Sequence, residues 1–320
     1  MTPPVFSVVI PTYNQADFLR IALQSVLNQT FEDFEIIVVN NYSTDHTLEV
    51  VAEIDDPRLQ VINFKNNGVI GAGRNIGIKS SKAPYVAFLD SDDTWCSNKL
   101  AEVARAIGED PEIGLVAHLQ EMVWEGPVKS STNFGPPADF AEDVYEYLLL
   151  TGNLLATSSA VVRKECLEQV GLFSEETALI TAEDYDLWLK LARVCRFRFI
   201  PEVLGANWVH LNSASSSIER HVDSVLSVLR NHLQPTKGQN PAYSTLTVRR
   251  RISEVYYYGG RLHQRAGRFK MPLSYYLKTL KSYPFNPKTF GALGILLIDR
   301  ILGNYLASKF EYSVRGVKRN

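Results

Sequence analysis

Sulfur is scarce in this chain of 320 residues, which has three cysteines and three methionines. Cys96, Cys166 and Cys195 are odd in number, far apart in sequence and in no CxxC pair, which excludes a disulfide-built scaffold and a zinc knuckle and leaves reduced thiols. An export signal is also missing: MTPPVFSVVI passes from two prolines into a strand-like run with no basic stretch and no apolar segment before it, so a cytoplasmic location is expected. Long apolar runs are absent. The strongest candidate, TFGALGILLIDRILGNYLASKF at 289–310, is interrupted by Asp299 and Arg300 and is too short to span a bilayer. No internal repeat stands out.

Carboxylates are scarce as well, but only at one end. Residues 235–320 carry 3 Asp and Glu against 16 Lys and Arg, whereas residues 1–234 carry 32 against 17, so the net charge of −2 conceals an acidic body and a basic end. An acidic body suits a metal or a cationic ligand; a basic end suits phosphates, nucleic acid or an anionic membrane surface. With 45% hydrophobic and 21% charged residues, the composition is that of a globular protein able to bury a sizeable core.

What is present is a regular alternation. FSVVI (6–10), EIIVV (35–39), QVINF (60–64) and YVAFL (85–89) are strand-like, and helical patterns separate them. The segment 15–29 sets Leu19, Ala22, Leu23, Val26 and Leu27 on one face, and 44–54 follows Ser43 as an expected N-cap. Near-continuous apolar strands between helices indicate an α/β fold with a mostly parallel sheet covered on both sides, whose ligand lies beyond the carboxyl ends of the strands. The residues that end those strands should therefore converge: Thr12, Tyr13 and Asn14, then Asn40 and Asn41, then Asp90 to Asp93. Further on, GLVAH (114–118) is strand-like, 125–143 reads as a loop able to act as a lid or a plain surface excursion, SSAVVRKE runs from strand into helix, and 183–194 is an amphipathic helix. From about 218 the pattern is helical.

Several segments carry a resemblance: SVVIPTYNQADFLRIALQSVLNQTFEDFEIIVVNN with STD after it, then GAGRNIGI, DSDD, EDYDLW and WVHLNS near 210. In this order and spacing they resemble the family 2 glycosyltransferases, which have the GT-A fold. The resemblance covers about the first 215 residues. It implies a catalytic, nucleotide-sugar-binding domain over 1–217 and a basic, mainly helical region over 218–320, and an inverting, metal-dependent transfer of sugar from a nucleotide-sugar donor to an acceptor hydroxyl.

Asp90, Ser91 and Asp92 match the family's metal-binding DXD. A divalent cation, Mn or Mg, held there by Asp90 and Asp92 would bind the donor diphosphate and neutralise charge as it leaves. His210 matches a position where family members place a third metal ligand or diphosphate contact; a core or surface histidine is the plain alternative. Asp184 matches the base that takes the acceptor proton, although Thr181 and Asp184 also have the spacing of a capping box. Glu183 would then tune or orient its neighbour, Asp186 would be a solvated or structural residue, and Asp93 would cap the helix beginning near Ser97. Pro11, Thr12 and Tyr13 would meet the nucleobase, and Arg74 with Asn75 would line the donor side, where an arginine suits phosphate or sugar oxygens.

Asn41 stands where many members carry an aspartate for uracil. Here that aspartate pair is Asn40 and Asn41 and the following glycine is Tyr42, so a UDP-type donor is favoured on weaker ground. Gly68, Gly71 and Gly73 match no phosphate-loop spacing and are read as a tight turn before a helix.

The basic end allows three readings. It is a helical subdomain packed on the catalytic domain or on a second copy in a homo-oligomer, an interfacial helix resting peripherally on the inner face of the membrane, or a nucleic-acid surface, which the lack of a reading motif disfavours. The acceptor implied is a glycan or a lipid-linked sugar in cell-surface polysaccharide or glycolipid synthesis. Two rivals remain. A nucleotidyltransferase would need a glycine-rich basic loop that PTYNQAD does not provide, and a non-catalytic sugar- or lipid-binding module would have lost the DXD or the base, which are both present.

Overall fold

The computed structural model describes residues 3–124, 130–137, 140, 142–209, 217–233 and 243–302. The chain divides into two compact units, Met1–Ser213 and Ala214–Asn320.

The first unit is built on a nine-stranded sheet of order β3-β2-β1-β4-β8-β6-β9-β5, with β7 pairing β6 off this path. Strands β1 (Phe6–Thr12), β2 (Phe34–Asn40), β3 (Leu59–Asn63) and β4 (Tyr85–Phe88) are mutually parallel. Then β5 (Asp93–Trp95), β6 (Ile113–Trp124), β7 (Ser130–Phe134), β8 (Val161–Arg163) and β9 (Arg196–Val209) extend the sheet, and only β5, β7 and β8 run against the rest. The architecture is therefore the mostly parallel α/β sheet expected, with helices α1 (Ala16–Leu27), α2 (Thr47–Ala52), α3 (Ile70–Ser80), α4 (Lys99–Glu109), α5 (Val144–Leu150), α6 (Lys164–Val170) and α7 (Glu183–Leu191) between the strands.

Burial follows the pattern of the sequence. Every residue of β2 is buried, as a strand covered on both faces requires. Leu19, Ala22, Leu23 and Val26 of α1 are fully buried, and their hydrophobic cluster extends through Phe6, Val8, Ile36 and Val38 to Trp95 and Leu100. Helix α3 lies close on β1 because Gly77 has no side chain: a Cβ there would stand 2.3 Å from Val9 Cγ1. Gly71 and Gly73 lie within this helix, and only Gly68, at φ 82°, serves the turn before it.

The local expectations need two corrections. Ser43 does not cap α2; the helix starts at Thr47, the Asp45 carboxylate accepts from Thr47 N–H (3.2 Å) and Oγ1 (2.6 Å), and Ser43 Oγ accepts from Asn14 N–H (3.0 Å). A carboxylate two residues before the helix is the stronger acceptor and displaces the hydroxyl. The segment 125–143 is not all loop, because β7 pairs antiparallel with β6, the long β6 edge providing its backbone partners. The expected reduced thiols are found, with Cys166 and Cys195, distant in sequence, side by side over Gly114, whose ideal Cβ would be 2.6 Å from Cys195 Sγ and 2.9 Å from Cys166 Sγ. Both remain free thiols, and burial followed by the neighbouring thiol raises the pKa of Cys195.

The second unit is helical, with α8 (Ile218–Leu233), α9 (Thr245–Arg265), α10 (Lys270–Ser282) and α11 (Pro287–Leu302). Ser244 caps α9 by accepting from Thr247 N–H at 3.1 Å. A small core of Tyr276, Ala292 and Leu296, flanked by Tyr257, Phe269, Leu273 and Leu293, joins the last three helices.

The Gly77–Val9 contact is tight enough to test. Gly77→Ala forces a methyl into a filled, β-branched neighbour and should destabilise the first unit by about 1–3 kcal/mol. Thermal unfolding monitored on the purified protein is expected to show the lowered midpoint.

Candidate active site

The turn after β4 and the start of α7 are far apart in sequence, and one side chain joins them. Arg74 of α3, 4% exposed, donates through Nη2 to Asp90 Oδ1 (2.6 Å) and through Nη1 to Glu183 Oε1 (2.8 Å). The face of Phe173 packs 5.3 Å from the guanidinium. Burial works against its charge, but Asp90 and Glu183 outweigh burial and raise the pKa of Arg74.

Glu183 Oε2 accepts the Thr181 N–H at 2.9 Å, holding a residue that adopts a left-handed backbone at φ 80°. A β-branched residue there stores strain that its surroundings must hold in place. The adjacent Asp184 is partly buried. Its Oδ1 accepts from Tyr185 N–H (2.7 Å), and its Oδ2 faces Asn153 Nδ2 (3.3 Å) and Thr157 Oγ1 (3.4 Å). No capping box forms between Thr181 and Asp184, because the N-cap is Ala182 and Asp184 is turned to these partners instead. Burial first, then the charge of Glu183, against the pull of Arg74, raises the Asp184 pKa from the usual carboxylate range to about 7. Asp186 is buried and pairs with Lys190 at 2.6 Å, so of the two expected readings the structural one holds and the solvated one does not.

A one-turn 3-10 segment, Thr157–Ser159, reaches both acidic motifs. Thr157 faces Asp184, while Ser158 Oγ accepts the Asp90 N–H at 2.9 Å. The Ser158 carbonyl accepts from Trp95 Nε1 (2.8 Å) and from Lys99 Nζ (3.2 Å). Lys99 is fully buried with its nitrogen 3.2 Å from the Trp95 ring centre, and burial pushes its pKa well down. Asp93 does not cap a helix. It lies in β5, buried, accepting from Asn207 Nδ2 (3.0 Å) and Trp208 N–H (3.3 Å), and burial followed by Asp90 and Asp92 pushes its pKa well up. Pairing of β5 with β9 carries it away from α4, whose N-cap is Asn98.

On the other side of the turn, Ser91 Oγ donates to Gln15 Oε1, and Gln15 Nε2 is 3.5 Å from Asp92 Oδ2. Pro11 and Thr12 end β1, Thr12 is buried, and Tyr13 is 54% exposed. The Asn41 Oδ1 accepts the Asn66 N–H at 2.9 Å, and Asn40 bridges Ser43 N–H and Asn63. Tyr42 has φ 54°, a backbone that a glycine adopts without strain. Asn75 exchanges hydrogen bonds with the Phe173 backbone and reaches Glu175 Oε1 at 2.9 Å, so it anchors the segment before α7. His210 lies outside the described residues.

Residues 7–170 match the family described as Glycosyl transferase family 2. The chain belongs to that family. Among its relatives, the glycosyltransferase RP339 of Rickettsia prowazekii is 29% identical over 226 residues, 69% of this chain and 70% of that one. Another from Rickettsia felis is longer, and the match spans 36% of it. Escherichia coli WfaP, named as a UDP-Glc:alpha-D-GlcNAc-diphosphoundecaprenol beta-1,3-glucosyltransferase, is 31% identical over 187 residues, 58% of this chain and 69% of that one. Among solved structures, S. aureus TarS 1–349 in complex with UDP-GlcNAc superposes with a TM-score of 0.60 at 20% identity, covering 87% of this chain and 79% of that one. The mannosyltransferase PcManGT of Pyrobaculum calidifontis, in complex with GDP-Man and Mn2+, gives 0.56 at 19% identity over 94% and 88%. These likenesses are of fold, and the fold is GT-A.

In this family 2 glycosyltransferase, Gln15, Asn153, Thr157 and Ser158 were not singled out by the sequence as site residues. The legible signal was a polar Thr-Ser-Ser run between the buried Leu154–Leu155 pair and a buried strand, where hydroxyls need partners. The donor set also fits a hard cation: Asp90, with its side chain 30% exposed, and Asp92 offer carboxylate oxygens two residues apart. No group of three or more such ligands occurs among the described residues, so further positions would fall to donor oxygens and water.

Replacing Arg74 with methionine removes the shared cation and leaves Asp90 and Glu183 without it. We expect a loss of about 3–5 kcal/mol, the scale of breaking a buried ion pair from one side, read as a lower urea midpoint. The Asp184 pKa should rise further in the same variant.

Proposed function

We propose that this glycosyltransferase moves a sugar with inversion from a nucleotide-sugar donor to an acceptor hydroxyl, with Asp184 as the base. The observation that carries the reading is the Arg74 bridge, which fixes the candidate donor carboxylate Asp90 beside a carboxylate whose pKa is about 7. A base is most effective when its pKa lies near the working pH, so that it is deprotonated and still able to take a proton. Asn153 and Thr157 orient its Oδ2, and Glu183, paired with Arg74, is the neighbour whose charge raises its pKa. The acceptor hydroxyl loses its proton to Asp184 as its oxygen bonds to the anomeric carbon, and the bond to the nucleoside diphosphate breaks on the opposite face.

Asp90 and Asp92, with His210 as the third candidate, would hold Mn or Mg. Such a cation supplies charge neutralisation at the diphosphate. Pro11, Thr12, Tyr13 and Asn41 are assigned to the nucleobase, and Ser91 to the donor side. A UDP-type donor is favoured, consistent with the UDP-GlcNAc bound to TarS, although PcManGT holds GDP-Man. WfaP's lipid diphosphate acceptor supports a lipid-linked glycan acceptor here, in cell-surface polysaccharide or glycolipid synthesis. The domain division proposed is catalysis in 1–217 and acceptor, membrane or oligomer contacts in 218–320.

Asp184→Asn should keep nucleotide affinity while transfer falls by at least about a hundredfold, the low end for removing a general base. Transfer by the variant at the parental rate would place the base elsewhere. In the parent, kcat should rise about tenfold per pH unit below pH 7 and level off above it, because only the deprotonated form works. A panel of UDP-, GDP-, CDP- and dTDP-sugars with Mn should raise the thermal midpoint most for a UDP sugar.

A further inference from the structure

Helix α11 carries apolar residues on two faces. Its inward face carries Thr289, Ala292, Leu296 and Asp299, all buried, with Asp299 Oδ2 accepting from Gln264 Nε2 at 3.3 Å. Its outward face carries Phe290 (58% exposed), Gly294 and Leu297 (55%) at i, i+4 and i+7, with Gly291 and Ile298 alongside. A helix at an ordinary protein–water boundary has one apolar stripe, turned inward as Ala292 and Leu296 are here, and a polar face toward solvent, so the second stripe is the unusual feature. No charged residue interrupts this stripe, while Lys288 and Arg300 are exposed near its two ends.

The charge around the stripe selects its occupant. A second copy docking by the same patch would bring Lys288 and Arg300 of one chain against those of the other, within a region of 16 basic and 3 acidic residues. The residues after α11 are no better matched, since 303–320 hold Lys309, Arg315, Lys318 and Arg319 against Glu311 alone. An apolar stripe with basic ends instead fits a surface that is hydrophobic below and anionic above. Among the described residues no helix is long and apolar enough to cross a membrane, so contact along the surface is the geometry this helix offers.

We infer that α11 is a peripheral membrane contact, with Phe290, Leu297 and Ile298 entering the headgroup region of an anionic lipid surface and Lys288 and Arg300 meeting lipid phosphates. This inference does not depend on the role of Asp184. The test is flotation of the full chain with vesicles of phosphatidylcholine alone and of phosphatidylcholine with phosphatidylglycerol. The parent should float with the anionic vesicles only and be released by high salt. The double variant Phe290→Ser, Leu297→Ser should lose at least about tenfold in partition, and Lys288→Glu a smaller factor, with thermal unfolding unchanged. Asp184→Asn should float like the parent, which separates this inference from the catalytic reading. Equal flotation of parent and double variant, or no preference for anionic vesicles, would overturn it. So would a dimer in light scattering that the double variant abolishes, which would give the stripe to a second copy.

Discussion

The first unit depends on one guanidinium. Arg74 lies among Asp90, Glu183 and Asp184, three carboxylates from two distant segments, and is almost without solvent. Two of those acids pair with it directly and the third does not. That inequality separates their chemistry: two acids have the guanidinium as a direct partner, whereas Asp184, partly buried and next to a negative neighbour, keeps its proton up to about neutrality. A buried ion pair of this kind is weak evidence for stability, because desolvation opposes its attraction. Its better-supported use is to fix geometry, and here it fixes the turn after β4 against the start of α7.

Around that bridge the polar groups form layers rather than a single cluster. Ser158 ties the backbone of Asp90 to a carbonyl that also receives Trp95 and Lys99, so the acidic turn is fastened from below by a lysine that never meets water. Asn75 fastens the segment before α7 to α3, the helix that carries Arg74. Backbone strain gathers in the same region: Asn14, Tyr42 and Thr181 all have positive φ in turns that end or begin the elements of the site. Such conformations persist where neighbouring contacts over-determine them, as the Glu183 carboxylate does for the Thr181 N–H.

The two units divide the charge of the chain. The acidic motifs all lie in the first, while the second has a basic surface and a helix whose apolar stripe faces outward.

Sequence alone determined the sheet, the helix faces and the convergence of strand ends, because these follow from local periodicity. The buried stripe of α1 and the continuous apolar runs of β1 and β2 are written in adjacent residues. It also singled out Asp90, Asp92 and Asp184 as candidates, since short motifs preserve their order and spacing. Tertiary structure decided the rest. Arg74, expected on the donor side, is found bridging two carboxylates; Asp93 looked like a cap and is a strand residue; Asn153, Thr157 and Ser158 drew no notice and hold the candidate base and the acidic turn. Each of these roles depends on partners dozens of residues away, and so does the raised pKa of Asp184. Burial and long-range charge belong to the folded chain, and no window of sequence contains them.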